Sequence, residues 1–229
     1  MPASQSAVPQ TVPKRASRLI WTPFLLLCLI AAAAAIRRIV VLALPPNPAP
    51  LAPNAAPNAA LDALFAARRG LTLAHIVPAL GFVALLPFWF MDRMRARPAL
   101  HRRITLALFV LGAVVGLTAI PMSARPVGGL TEQSAALLYD GLFLIFLARA
   151  FVLWRAGQTS AHRVWMMRAI AVLLGIATTR PVMGVFFATQ RLTHLRVDQF
   201  FGIAFWIGFT TTWLAGEWYL RRRDYVAMT

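Results

Sequence analysis

Apolar residues fall along the chain in six long runs, and the short segments between them hold most of the charge. The runs are Ile20–Ile36, Leu71–Met91, Ile104–Ile120, Ala135–Trp154, Val164–Phe187 and Phe200–Leu220. Each has about the length of one bilayer crossing, roughly 17–25 residues as an α-helix. A helix satisfies its own backbone groups, as the hydrocarbon core demands. The pattern therefore predicts an all-α fold, a polytopic transmembrane helix bundle of about six spans. Pro78 and Pro87 interrupt the second run, Pro121 closes the third and Pro181 interrupts the fifth.

The runs divide the chain into a polar tail (1–19), a first transmembrane segment (20–44), a loop (45–70) and a five-helix transmembrane core (71–223). Within the first segment Arg37 and Arg38 follow the apolar run, and a short apolar stretch, Ile39–Leu44, comes after them. Residues 45–60 repeat Pro, Asn and Ala without a hydrophobic face, which predicts an extended loop. Leu61–Arg69 predicts a short interfacial helix with Asp62 near its start. A cleavable secretory signal peptide is the alternative for the first run, since a basic tail, an apolar core and Ala31–Ala35 follow in order. An uncleaved helix is preferred, because cleavage would leave Arg37 and Arg38 at the new terminus and break an even helix count.

Composition sharpens this picture. Of 229 residues 59% are hydrophobic and 13% charged, with a mean hydropathy of +0.67. Soluble domains carry about 25% charged residues, so neither a soluble nor a disordered chain fits. The net charge is +16, and Lys14 is the single lysine. On a soluble protein such an excess would suggest nucleic acid, but no recognition motif accompanies it. The arginines instead flank apolar runs, which points to the lipid bilayer and its anionic headgroups as partners.

Charge also predicts orientation. Basic residues in the N-terminal tail, 92–103, 155–163 and the C-terminal segment number 13, against seven in the intervening loops. By the positive-inside rule both termini are cytoplasmic, in the inner membrane of a bacterium, and the proline loop is extracytoplasmic. Trp21, Trp89, Trp154, Trp165, Trp213 and Trp218 lie near span ends, as interfacial anchors do.

Ionisable groups inside spans are the informative ones, because a charge near the bilayer centre costs at least ~2.5–3.5 kcal/mol. Counting from span ends puts His75, Asp140 and Arg180 in one outer layer, where an Asp140–Arg180 pair is geometrically allowed. Arg149, Arg168 and Glu217 form an inner layer, and one glutamate among arginines predicts a salt bridge. Two readings stand side by side: ion pairs that only hold the bundle together, and a polar intramembrane site for a small ligand or for transport. For the latter His75, Asp140, Arg180, Arg168 and Glu217 are the candidates. Pro78 and Pro181 would break helices beside such a site, as in some transporters.

The alternative is an electron-transfer subunit binding haem b or quinone. Its ligands would come from His75, His101, His162 and His194. Of these only His75 lies well within a span. His101, His162 and His194 fall in loops or at span ends among arginines, where phosphate contacts or helix capping also explain them. Cys28 is the one cysteine, so it excludes an intrachain disulfide and reads as a small buried hydrophobe. Gly112 and Gly116 form a small-xxx-small pair for close helix packing. Phosphate-binding loops, nucleophile elbows and zinc-protease motifs are absent from the sequence, so no catalytic residue is assigned.

The stretch Ala161-His162-Arg163-Val164-Trp165-Met166-Met167-Arg168 resembles the His-x-x-Trp-Met-x-Arg signature of a family of bacterial membrane proteins, domain of unknown function 2306. Leu100-His101-Arg102 is similar to that family's Leu-His-Arg element, and His75, Arg180 and Glu217-Trp218 also correspond. The resemblance spans about residues 71–223 and departs from the family pattern at Thr105 and Leu106, where it has Gly-Arg. It implies a multi-helix membrane protein and carries no reaction with it.

Overall fold

A computed structural model of the protein describes residues 14–44 and 57–228, with side chains described over 21–44 and 61–222. The extended loop expected over 45–60 therefore lies largely outside the described residues, as does most of the 1–19 tail. What is described is helical, with no strand among the described residues. The helices are α1 (Lys14–Ala43), α2 (Pro57–Ala66), α3 (Arg69–Phe90), α4 (Asp92–Arg95), α5 (Pro98–Ser123), α6 (Gly129–Arg155), α7 (Thr159–Thr193) and α8 (Val197–Met228).

Five of them, α1 from Trp21 onward, α3, α5, α6 and α7, are long and apolar enough to cross a membrane. The sixth long helix, α8, is not in that set, and its composition explains why. Thr210, Thr211, Thr212 and Glu217 dilute its apolar surface, and the bundle satisfies most of them. Tyr139 Oη and Thr210 Oγ1 lie 2.6 Å apart, as do Thr178 Oγ1 and Thr212 Oγ1, and Arg168 takes Glu217. About six spans remains the architecture that fits.

The chain runs up and down. α1 packs on α3, α3 on α5, α5 on α6, α6 on α7, and α7 returns to α1, while α8 lies against α6 and α7. The core within this ring includes the fully buried Phe82, Leu86, Leu108, Met166 and Ala169. One end of the bundle carries α2; the other carries α4 and both basic connections.

Helices run through every internal proline, Pro23, Pro78, Pro87, Pro121 and Pro181. The breaks expected at Pro78 and Pro181 do not form. α1 likewise continues through Arg37 and Arg38 to Ala43, because both guanidinium groups find Asp62 on α2. α2 starts at Pro57, a residue preorganised for the first helical turn, so Asp62 sits in mid-helix and not at the N-terminus. Its carboxylate answers arginines, not the helix dipole.

The Gly112–Gly116 pair packs as expected. A Cβ on Gly112 would meet Leu147 at 2.8 Å and Phe82 at 3.1 Å, and one on Gly116 would overlap Leu144. A second glycine interface joins α7 to α8. A Cβ on Gly175 would lie 2.5 Å from Phe209, one on Gly208 would lie 2.6–2.9 Å from Thr179, and one on Gly216 would lie 2.6 Å from Ala171. These glycines are scattered over two helices, which hides them from a search for i, i+4 pairs.

Candidate functional site

At the α2 end, Arg37 donates from Nη1 and Nη2 to the two oxygens of Asp62, at 3.1 and 2.8 Å. Arg38 Nη1 reaches the same carboxylate. The Arg38 guanidinium also stacks on Phe65, 4.3 Å from the ring centroid. Phe65 in turn accepts the Thr72 hydroxyl on its carbonyl at 3.0 Å, which ties α2 to the start of α3. Leu61 packs beside Met183 and Phe201, which ties α2 to α7 and α8.

Arg180 lies on α7 within electrostatic reach of both Arg38 and Arg37. Its side chain is exposed on α7 and is not part of the packed core. No hydrogen bond or ion pair engages it among the described residues. The other carboxylates at described positions are occupied or distant. Asp92 meets Arg95, Asp198 meets Arg196, Glu217 meets Arg168, and Glu132 accepts the Gly128 amide at 2.7 Å. Residues 45–60 contain no acidic residue. Three arginines thus converge with one carboxylate between them.

The expected Asp140–Arg180 pair does not form. Tyr139 and Gly175 both meet Phe209, and Ala150 and Phe146 meet His162 and Trp165. That register puts Asp140 roughly six to nine residues below Arg180, on the order of 10 Å along the axis. Counting from span ends missed this because it took the ends of α6 and α7 to be level, whereas α7 runs on to Thr193, past the start of α6 at Gly129.

His75 and Asp140 instead share a layer around α5. His75 Nδ1 lies 3.1 Å from the Val115 carbonyl and 3.0 Å from Thr118 Oγ1. A carbonyl only accepts, so Nδ1 carries the proton and Nε2 presents a lone pair. Asp140 is one turn before Phe143 and Leu144, which meet Gly112 and Gly116 on the other side of α5. It has no partner among the described residues.

The α4 end is built differently. Arg168 donates from Nε and Nη2 to Glu217 at 2.7 and 3.1 Å, the salt bridge that one glutamate among arginines predicts. The guanidinium groups of Arg168 and Arg149 both lie over the Trp165 ring, 4.7 and 4.9 Å from its centroid. Trp165 is thus more than an interfacial anchor.

Two histidines meet here. His101 and His162 are in the first turns of α5 and α7, not in loops, since those helices begin at Pro98 and Thr159. Both rings lie 6.1 Å from Trp89, whose Nε1 donates to Thr105 Oγ1 at 3.1 Å. His162 is 4% exposed, its Nδ1 donates to the Ala150 carbonyl at 3.0 Å, and its Nε2 is buried with no partner. His194 caps α7 at the opposite end in a left-handed conformation, about 48 Å along the helix from His162. His75 is 14 residues from Trp89 along α3, about 21 Å. Of the four histidines only His101 and His162 come together.

The family model described as Predicted membrane protein (DUF2306) matches residues 72–219. The chain belongs to this family. Neither the curated proteins nor the solved structures contain a match. The DUF2306 region covers α3 through most of α8, and so includes His75, His101, Asp140, His162, Arg168, Arg180 and Glu217. α1 and α2, with Arg37, Arg38 and Asp62, precede it. Those three, with Trp165 and Trp89, were legible in the sequence only as flanking charges, a helix start and interfacial anchors, not as site residues.

Proposed function

We propose that this DUF2306 protein resides in a bacterial inner membrane with both termini in the cytoplasm, and that it binds or moves a small anionic solute. The solute, a carboxylate or phosphate, enters from the extracytoplasmic α2 end and docks on Arg180 beside Arg37 and Arg38. The observation that carries the reading is the uncompensated Arg180. A guanidinium in a span needs an anionic partner or a polar path, and its planar donors suit carboxylate and phosphate. The basic connections 92–103 and 155–163 at the α4 end support the orientation.

The test is thermal melting of purified protein against phosphate, sulfate, acetate and citrate. Wild type gains stability with one or more of them as RT ln(1 + [L]/Kd), about 2.7 kcal/mol at a hundredfold excess over Kd. Arg180→Gln keeps its intrinsic stability and loses the gain. A wild type indifferent to every anion, or an Arg180→Gln variant that fails to accumulate, overturns the reading.

A second reading, haem b or quinone binding, rests on the bare Nε2 of His162 beside His101. Donation from Nδ1 to a carbonyl is the arrangement that prepares an imidazole as a ligand. Trp89 lies against both rings, so an iron between them requires that indole to turn away. A visible spectrum separates the readings: a Soret band favours the second, and a colourless, folded preparation removes its haem form.

A further inference from the structure

We infer that the α4 end carries a discrete site for the phosphate of an anionic lipid, formed by Arg149 with Trp165 and Arg168. The site is separate from the Arg180 cluster and does not depend on it. Arg149 is exposed on α6, six residues before the helix ends at Arg155, about 9 Å from that end. An arginine at this depth reaches the headgroup layer by extending its side chain. No carboxylate meets it among the described residues, so all five of its N–H donors are available.

Its direction is fixed from the neighbouring helix. Trp165 on α7 holds the Arg149 guanidinium at 4.9 Å and the Arg168 guanidinium at 4.7 Å. Glu217 ties down Arg168 through Nε and Nη2, which leaves Nη1 free to donate. The cluster is therefore two guanidinium groups on one indole with one carboxylate, and the excess charge sits on Arg149. A phosphodiester supplies the missing charge and accepts from the planar fork. The depth of Arg149 within the span commits the site to a lipid rather than a solute.

Native mass spectrometry of the full chain, released from detergent with added phosphatidylglycerol or phosphatidylcholine, tests this. Wild type retains one phosphatidylglycerol per chain in preference to phosphatidylcholine. Arg149→Gln weakens that retention roughly tenfold, the effect of losing charge-assisted hydrogen bonds. Trp165→Phe weakens it less, and Arg149→Lys restores it in part. Arg155→Gln removes an equal charge one turn and a half away and leaves retention intact. The proposal fails if Arg149→Gln and Arg155→Gln lower retention equally, which would mean a diffuse surface field. It also fails if millimolar inorganic phosphate displaces the lipid, which would mean a solute site. Should Arg149→Gln not fold, Trp165→Phe alone decides: unchanged retention there also refutes the site.

Discussion

At the α4 end Arg168 meets Glu217 through two hydrogen bonds and stacks on Trp165; at the α2 end Asp62 serves both Arg37 and Arg38, and Arg180 has no carboxylate among the described residues. The two arginines sit on the same helix, about three turns apart. What separates them is the partner supplied by the fold. A charge that the protein itself neutralises is a fastening between helices, here α7 to α8. A charge that the fold leaves open to an accessible space is a place for something else. The contrast makes Glu217 a fastening and leaves Arg180 as the charge on which the proposed anion binding rests, although both are single ionisable residues within long helices.

The largest effect should come from breaking the fastening. Glu217→Ala strands Arg168 among α7, α8 and Trp165. Removing one partner of a buried pair costs about 3–5 kcal/mol, and partial exposure of both side chains brings the expected loss to about 2–3 kcal/mol. Melting in detergent measures it. Arg180→Gln, by contrast, leaves stability unchanged or raised, since it removes a repelled charge. If the two variants melt alike, the distinction between fastened and open charges is lost.

A somewhat smaller effect tests the α7–α8 contact that the fastening secures. A Cβ on Gly208 would fall 2.7 Å from the Thr179 amide nitrogen and 2.9 Å from its Cα, backbone atoms that cannot turn aside. Gly208→Ala should cost roughly 1–3 kcal/mol, as overpacking does. Gly184→Ala on the same α7 meets nothing within 4 Å and should be neutral or stabilising by up to about 1 kcal/mol, through reduced backbone freedom in the unfolded chain. Equal melting of both variants would show that α8 does not pack as closely as these glycines require.

The bundle itself was legible because membrane burial writes a strong one-dimensional pattern: six runs of apolar residues gave six long helices in the right order. The Arg168–Glu217 bridge was legible for a related reason, since few acidic groups compete near that end of α8. Contacts between distant residues were not. Nothing local connects Arg37 and Arg38 to Asp62, 24 or 25 residues away across a proline-rich loop. The Asp140–Arg180 expectation failed because it took the ends of the two apolar runs to be level. α6 and α7 each overrun their runs by six residues at the α2 end, but their contacts set the start of α6 opposite about residue 185 of α7, well before Thr193. His101 and His162 looked like loop residues because charges surround them, yet Pro98 and Thr159 start helices ahead of both.

The smallest expected effect concerns Asp140, and it decides how far the α2-end site extends. Asp140 shares its layer with His75 around α5, about 10 Å below Arg180, with no partner of its own among the described residues. Asparagine keeps the shape and removes only ionisable character, so Asp140→Asn should accumulate and melt like wild type. A carboxylate charge below Arg180 opposes an anion bound there, weakly over this distance. Asp140→Asn should therefore bind the stabilising anion more tightly by a factor of a few, the opposite sign to Arg180→Gln. Unchanged anion affinity would confine the site to the three arginines. A variant that fails to accumulate would make Asp140 a fastening like Glu217, with a partner that forms only in the membrane.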